Sequence, residues 1–253
     1  MTTSWDDGDP DDFRVAELLH SRGLSGTFYI PFTSPLGGKT LAPADLKSLR
    51  SGGFEIGAHG VSHRVLTELS PQELLGEVRD SKSRLEDTLG QPVDMFCYPK
   101  GRSNRKVIRQ VKEAGYKGAR TTCMLRQGLD FNPFRMPTSL VAHPDTRTLY
   151  ARNLLRGRNF SGLICYLNQL IRVDSWATMG KILFDRVLRE GGVWHLYGHS
   201  WEIEQCGLWT ELAETLDYVS RCEGVLYKPN GGVLNYLPAE SLQPSPVAKR
   251  SLG

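Results

Sequence analysis

Three clusters in this 253-residue chain bring together groups capable of metal or acid–base chemistry. Ser4-Trp5-Asp6-Asp7-Gly8 carries adjacent carboxylates, and His59-Gly60-Val61-Ser62-His63 carries two imidazoles four residues apart. His195-Leu196-Tyr197-Gly198-His199 runs into Ser200-Trp201-Glu202. Adjacent carboxylates suit a division of labour, one binding a metal and the other moving a proton. Imidazoles at that spacing fall on the same side of one helical turn or turn-like loop. Two neutral imidazoles and a carboxylate would hold a divalent cation and leave positions open for water and substrate. In an extended run His195 and His199 face the same way. His199, nearer the strand's C-terminal end, is assigned to the site, and His195 to a buried, hydrogen-bonded place in the core.

Each cluster also has an ordinary reading. Asp9, Asp11 and Asp12 are expected to turn the chain and cap the next helix. A lone histidine pair is more often a surface coincidence than a site. The clusters gain weight together because each follows or ends a predicted strand, where the βα loops of barrels and open sheets build active sites.

Short β-prone runs alternate with helical patterns along the chain, which predicts βα units and a largely parallel sheet or barrel. Strands are expected at 2–5, 26–30, 54–58, 95–98, 117–121 and 193–197, and helices near 12–21, 44–50, 105–114, 181–189 and 209–221. The helix over 71–89 has the fullest signature. Ser70 can cap it, Pro71 suits its first position, Glu73 completes a capping box and Gly90 ends it. Segment 145–177 breaks the alternation: Arg147, Arg152, Arg156, Arg158 and Arg172 sit among many apolar residues. It is expected to be an inserted amphipathic helix packed on the barrel, with a surface for an anionic or lipid-linked substrate as the sharper alternative. Residues 238–253 read as a loose tail.

Hydrophobic residues at 40%, charged residues at 23% and a net charge of +3 describe an ordinary globular chain. No Lys/Arg-rich stripe with interleaved aromatics argues for a nucleic-acid partner. Cys97, Cys123, Cys165, Cys206 and Cys222 are odd in number and form no CxxC pair, so neither a disulfide framework nor a cysteine zinc site is expected. The start MTTSWDDG has no apolar signal region and no stretch is apolar enough to span a bilayer, which predicts a cytoplasmic protein, at most peripheral to the membrane. The oligomeric state has no signature.

In this order the motifs resemble the polysaccharide deacetylase family, the nodulation-type carbohydrate esterases of family four, over about residues 2 to 230. Ser4-Trp5-Asp6-Asp7-Gly8 matches that family's paired-aspartate motif and His59…His63 its paired-histidine motif. Phe96-Cys97-Tyr98-Pro99-Lys100-Gly101 is similar to its proline-glycine motif, Tyr197-Gly198-His199-Ser200 to its late histidine motif, and Gly26–Pro31 to its second strand. The resemblance implies a distorted (β/α) barrel of about seven parallel strands, as one catalytic domain over 1–237. It implies Asp7, His59 and His63 as ligands of one divalent metal, with Asp6 as general base and His199 as general acid. The backbone N–H near Lys100 would meet the oxyanion. Tyr98, Pro99, Lys100 and Gly101, with Arg120, Trp201 and Glu202, would surround it and the substrate.

The implied activity is removal of N-acetyl groups from an N-acetylhexosamine in a polysaccharide, glycolipid or related glycan. Zinc is the default metal, with cobalt, nickel and manganese able to take the same ligands. A hydrolase of another non-peptide C–N bond, in a cyclic amide or ureide, and a non-catalytic glycan binder are the rivals. Three positions depart from the family's pattern. Cys97 stands where an arginine usually orients the catalytic aspartate, with Arg102 or Arg120 as replacements. Gly60 stands where a serine or threonine is usual. Glu202 is the candidate to tune His199.

Overall fold

In the computed structural model residues 1–145, 147–157 and 159–242 are described; Arg158 and tail positions 243–253 lie outside them. Seven parallel strands form one sheet: β1 (Thr2–Asp6), β2 (Thr27–Ile30), β3 (Glu55–Ala58), β4 (Met95–Cys97), β5 (Gly118–Arg120), β6 (Leu140–Val141) and β7 (His195–His199). Their spatial order is β5-β4-β3-β2-β1-β7-β6, so β1 is central and pairs with both β2 and β7. The sheet curls into a half-barrel, and the chain leading into β6 links its two edges through a parallel bridge between Met136 and Arg120. The expected α/β barrel of about seven strands is therefore present. β6 was not anticipated: two residues carry no readable alternation.

The helices are α1 (Asp12–His20), α2 (Pro43–Ser51), α3 (Pro71–Leu89), α4 (Arg105–Glu113), α5 (Arg147–Gly157), α6 (Phe160–Cys165), α7 (Trp176–Glu190), α8 (Ser200–Gln205), α9 (Trp209–Val219) and α10 (Asn230–Val233). Helix α3 starts as its sequence dictates. Ser70 and Glu73 exchange side-chain-to-backbone hydrogen bonds (3.4 and 2.9 Å), and Gly90 ends it at φ 66°. The start of α1 differs from expectation. Asp9 turns the chain by accepting from the Asp11 N–H (3.0 Å), Asp11 makes no side-chain cap, and Asp12 is buried against Ser200.

Because strand side chains alternate, two cores form. Trp5, Phe28, Ile56, Phe96 and Leu196 face outward into the layer beneath the helices. Tyr29, Met95, Cys97, Met136, Val193 and Val233 belong to a separate cluster inside the curl. Short α10 plugs the N-terminal end of the curl. Asn230 accepts from Thr2 Oγ1 (2.8 Å) and donates to the Tyr29 hydroxyl (2.9 Å), and Gly231 N–H donates to Glu55 (2.9 Å). That end is closed, so the site must lie at the other. Among the described residues of segment 145–177, α5 and α6 are followed by a π-turn at Tyr166–Leu170 and the start of α7.

Candidate active site

At the C-terminal end of the strands β1 delivers Asp6 and Asp7, the loop after β3 delivers His59 and His63, and β7 delivers His199. Asp7 sits at φ 82° and His63 at φ 53°, left-handed conformations that cost a non-glycine residue about 1–3 kcal/mol each and cluster at functional sites. Asp7 Oδ1 lies 3.4 Å from His63 Nε2 and 3.8 Å from His59 Nε2, and is buried without a hydrogen-bond partner. His59 donates from Nδ1 to the Cys97 carbonyl (2.8 Å), so in the neutral ring Nε2 is the bare nitrogen.

Burial pushes the His59 imidazole below its ordinary value, against the pull of Asp6 and Asp7. Burial, then His59, takes His63 down to about 4. Near neutral pH two unprotonated nitrogens thus converge on a carboxylate oxygen. Only a cation satisfies all three, and the set of two imidazoles and one carboxylate suits a divalent ion. These three residues form a buried group with ligand atoms within 4.8 Å of one another. Asp6, His59 and Cys97 are equally close, but Arg120 occupies that space and burial keeps the Cys97 thiol protonated.

Asp6 answers the question left by Cys97. Its Oδ2 is paired with Arg120 Nη2, which also lies 2.9 Å from Cys97 Sγ. Cys97 and Arg120 are register partners on β4 and β5, so the guanidinium has moved one strand over. It is fully buried, its Cζ 5.3 Å from the Tyr29 ring and 4.7 Å from the Tyr197 ring. Burial opposes the Asp6 charge, but Arg120, with His59 and His199, holds the carboxyl at about 2. The expectation that Arg120 touches substrate is corrected: no part of it is exposed. Arg102, the other replacement, is half-exposed and pairs with Glu68 (2.9 Å).

Glu202 and Trp201 hold site residues in place. Glu202 Oε2 accepts from His199 Nδ1 (2.7 Å), and Trp201 Nε1 donates to Asp7 Oδ2 (3.1 Å). Burial disfavours the charged His199 ring, yet the Glu202 hydrogen bond and the Asp6, Glu202 and Asp7 carboxylates lift it to about 9. His199 Nε2 lies 3.8 Å from Asp7 Oδ2. His195 has the core place expected of it: Nδ1 donates to the Pro137 carbonyl (3.0 Å), Nε2 meets Ser4 Oγ (2.9 Å), and burial takes it down to about 3.

In the turn Pro99–Gly101, Tyr98 O accepts from Gly101 N–H (2.8 Å) and Pro99 O from Arg102 N–H (3.2 Å). Lys100, at φ 55°, lies exposed on the groove wall with Gly101 beside it. Pro99 is buried, and the Tyr98 hydroxyl donates to the Phe134 carbonyl (3.0 Å).

Two residues escaped the sequence. Glu77, on the inner face of α3, accepts from the N–H groups of Val61 (2.8 Å) and Ser62 (3.0 Å) and from the Ser62 hydroxyl. Gly60, at φ 79°, leaves it room: a Cβ there would meet Glu77 Oε2 at 2.9 Å. The hydroxyl missing at Gly60 is thus replaced by a carboxylate from a helix whose signature reads as purely structural. His143, after the unread β6, approaches Glu202 Oε1 (3.9 Å) and lines the groove. That groove, of about 1320 Å³, has Asp6, His59, His63 and His199 in its lining and runs out towards α5.

Residues 1–119 match the model of the polysaccharide deacetylase family. Over that stretch the chain is similar to that family. It is 28% identical over 120 residues to the polysaccharide deacetylase homologue YxkH of Bacillus subtilis, covering 47% of this chain and 43% of that one. It is equally similar over 120 residues to a peptidoglycan-N-acetylglucosamine deacetylase of Bacillus cereus, covering 46% and 54%. The chain spans about half the length of these curated relatives. A polysaccharide deacetylase homologue from Mycobacterium smegmatis shares the fold over 99% of this chain and 94% of its own, with TM-score 0.65 and 15% identity. So does a Bacillus anthracis pseudoenzyme of carbohydrate esterase family 4, with TM-score 0.51, 14% identity and coverage of 90% and 62%. Fold alone therefore does not separate turnover from binding.

Proposed function

We propose that this chain is a metal-dependent N-deacetylase of N-acetylhexosamine residues in a glycan. One observation carries the reading: the lone pairs of Asp7, His59 and His63 converge between an ionised Asp6 and a protonated His199. A binding site would need the cation-holding trio but neither flanking proton carrier. A divalent ion held by Asp7, His59 and His63, zinc by preference, would polarise an amide carbonyl and acidify a water near neutral pH.

The chain's own groups supply the rest. Asp6, fixed and kept ionised by Arg120, accepts the proton of the attacking water. The Lys100 N–H is the donor assigned to the developing oxyanion, a contribution of about 3–4 kcal/mol in comparable sites. His199, oriented through Nδ1 by Glu202, gives a proton from Nε2 to the departing amine, which would otherwise be expelled as an unstable anion.

Acetate release from a panel of N-acetylglucosamine-containing glycans, with chelator and with added zinc or cobalt, tests this. Metal-dependent release is expected. No acetate from any glycan at stoichiometric bound metal would overturn it in favour of another C–N substrate or a binding role.

A further inference from the structure

Eleven large apolar side chains are exposed among the described residues, and five of them, Leu155, Phe160, Ile164, Leu167 and Ile171, fall between residues 155 and 171. Phe160 and Leu155 are the most exposed of all, at 73% and 72%. The last four follow i, i+4, i+7, i+11, one face of a helical path running from α6 through the π-turn. The opposite face already has its partner: Cys165, Tyr166 and Leu170 are buried, and Tyr166 stacks on Tyr150 of α5 (6.2 Å). The outward stripe is therefore not a core face left ragged. A soluble surface gathers such a patch where something covers it.

The charge around it identifies the cover. Residues 146–173 contain five arginines, at 147, 152, 156, 158 and 172, and no Asp or Glu, although the whole chain carries a net charge of only +3. Arg152 and Arg172 are exposed. A second copy of the chain meeting this face across a two-fold axis would set this basic, acid-free stretch of sequence against itself. An anionic lipid surface instead takes both features, the apolar side chains into the headgroup–acyl boundary and the arginines onto the headgroups. No helix among the described residues is long and apolar enough to cross a membrane, so the segment would lie on the surface.

The segment is also firmly tied to the groove. Asn153 Oδ1 accepts from Met124 N–H (3.0 Å), Asn159 Nδ2 donates to the Met124 carbonyl (2.8 Å), and Arg152 and Leu155 line the groove's outer end.

We propose that residues 147–171 dock this protein peripherally on an anionic membrane, with Phe160, Ile164, Leu167 and Ile171 as the inserted face. The full chain is sedimented with vesicles of phosphatidylcholine alone and of phosphatidylcholine with phosphatidylglycerol. It should pellet with the anionic vesicles, less so at high salt, and the double variant F160S/I164S should bind about tenfold or more weakly with unchanged thermal unfolding. Because vesicle binding is read without turnover, the result is independent of the deacetylase reading. Failure of the wild type to bind, or equal binding by the double variant, would overturn the proposal. So would light scattering that shows a wild-type dimer made monomeric by F160S/I164S, which would give the stripe to a second copy.

Discussion

Replacing Glu77 by alanine should loosen the metal site without touching a metal ligand. The carboxylate carries three hydrogen bonds to the loop between His59 and His63: two from backbone N–H groups at 2.8 and 3.0 Å and one from the Ser62 hydroxyl. In Glu77→Ala both N–H groups lose their acceptor, at about 1–3 kcal/mol for each part-buried donor left unpaired. Water reaching the new space lowers this, so a loss of about 2–4 kcal/mol is expected, or roughly 4–16 °C in Tm at about 2–4 °C per kcal/mol. The loop also holds His63 at φ 53°, so the cost reaches the ligand set. Loss of such a supporting partner typically weakens metal affinity by about 10–100-fold. The assay is competition for zinc against a chelator of known affinity, beside thermal unfolding of the metal-free protein. Glu77→Gln, which keeps an amide oxygen for the N–H groups, should fall between wild type and alanine. Zinc affinity in Glu77→Ala equal to wild type would refute the argument that this carboxylate builds the loop.

Arg120→Met should leave Asp6 buried without its partner, costing about 3–5 kcal/mol by thermal or denaturant unfolding at neutral pH. The Asp6 carboxyl is held near 2, below its unfolded value, so its stabilisation is present above the ordinary carboxylate range. The deficit of the variant should therefore shrink on acidification; a deficit that does not vary with pH contradicts this. Asp12 has the opposite sign: burial holds it well above its usual range against the Ser200 hydrogen bond, and its Oδ2 has no partner. The stability it contributes is present below the unfolded value and lost as pH rises through the folded one. Asp12→Asn should accordingly melt higher than wild type at pH 8, with the gap closing towards pH 4. Glu202→Gln removes the strongest support for the His199 charge and should move the basic limb of the activity profile down. A limb that stays in place would give that titration to another group.

The parts legible in the sequence are those with local signatures. The capping box at Ser70 and Glu73, the strand-end Asp and His pairs and the parallel α/β alternation depend on neighbours in sequence, and the structure places them as read. What was hidden depends on strands meeting in space. Arg120 reaches Asp6 because β5 lies beside β4, and the sequence could name it only as one of two replacements for the arginine absent at Cys97. Glu77 looked like any polar position on α3, and Gly60 like a lost hydroxyl, until the loop and helix were seen to share that space. Glu202, readable as the candidate to tune His199, accepts from its Nδ1, whereas no local signature says that Trp201 donates to Asp7.

In the proposed reaction Asp7, His59 and His63 hold the ion while Asp6 and His199 move protons. Zinc titration into chelator-stripped wild type, Asp6→Asn and His59→Ala, with acetate release read on the same samples, tests that division most directly. The prediction is one ion per chain in wild type and Asp6→Asn, none bound tightly in His59→Ala, and acetate from wild type alone. Wild-type zinc binding by His59→Ala, or undiminished acetate release by Asp6→Asn, would contradict it.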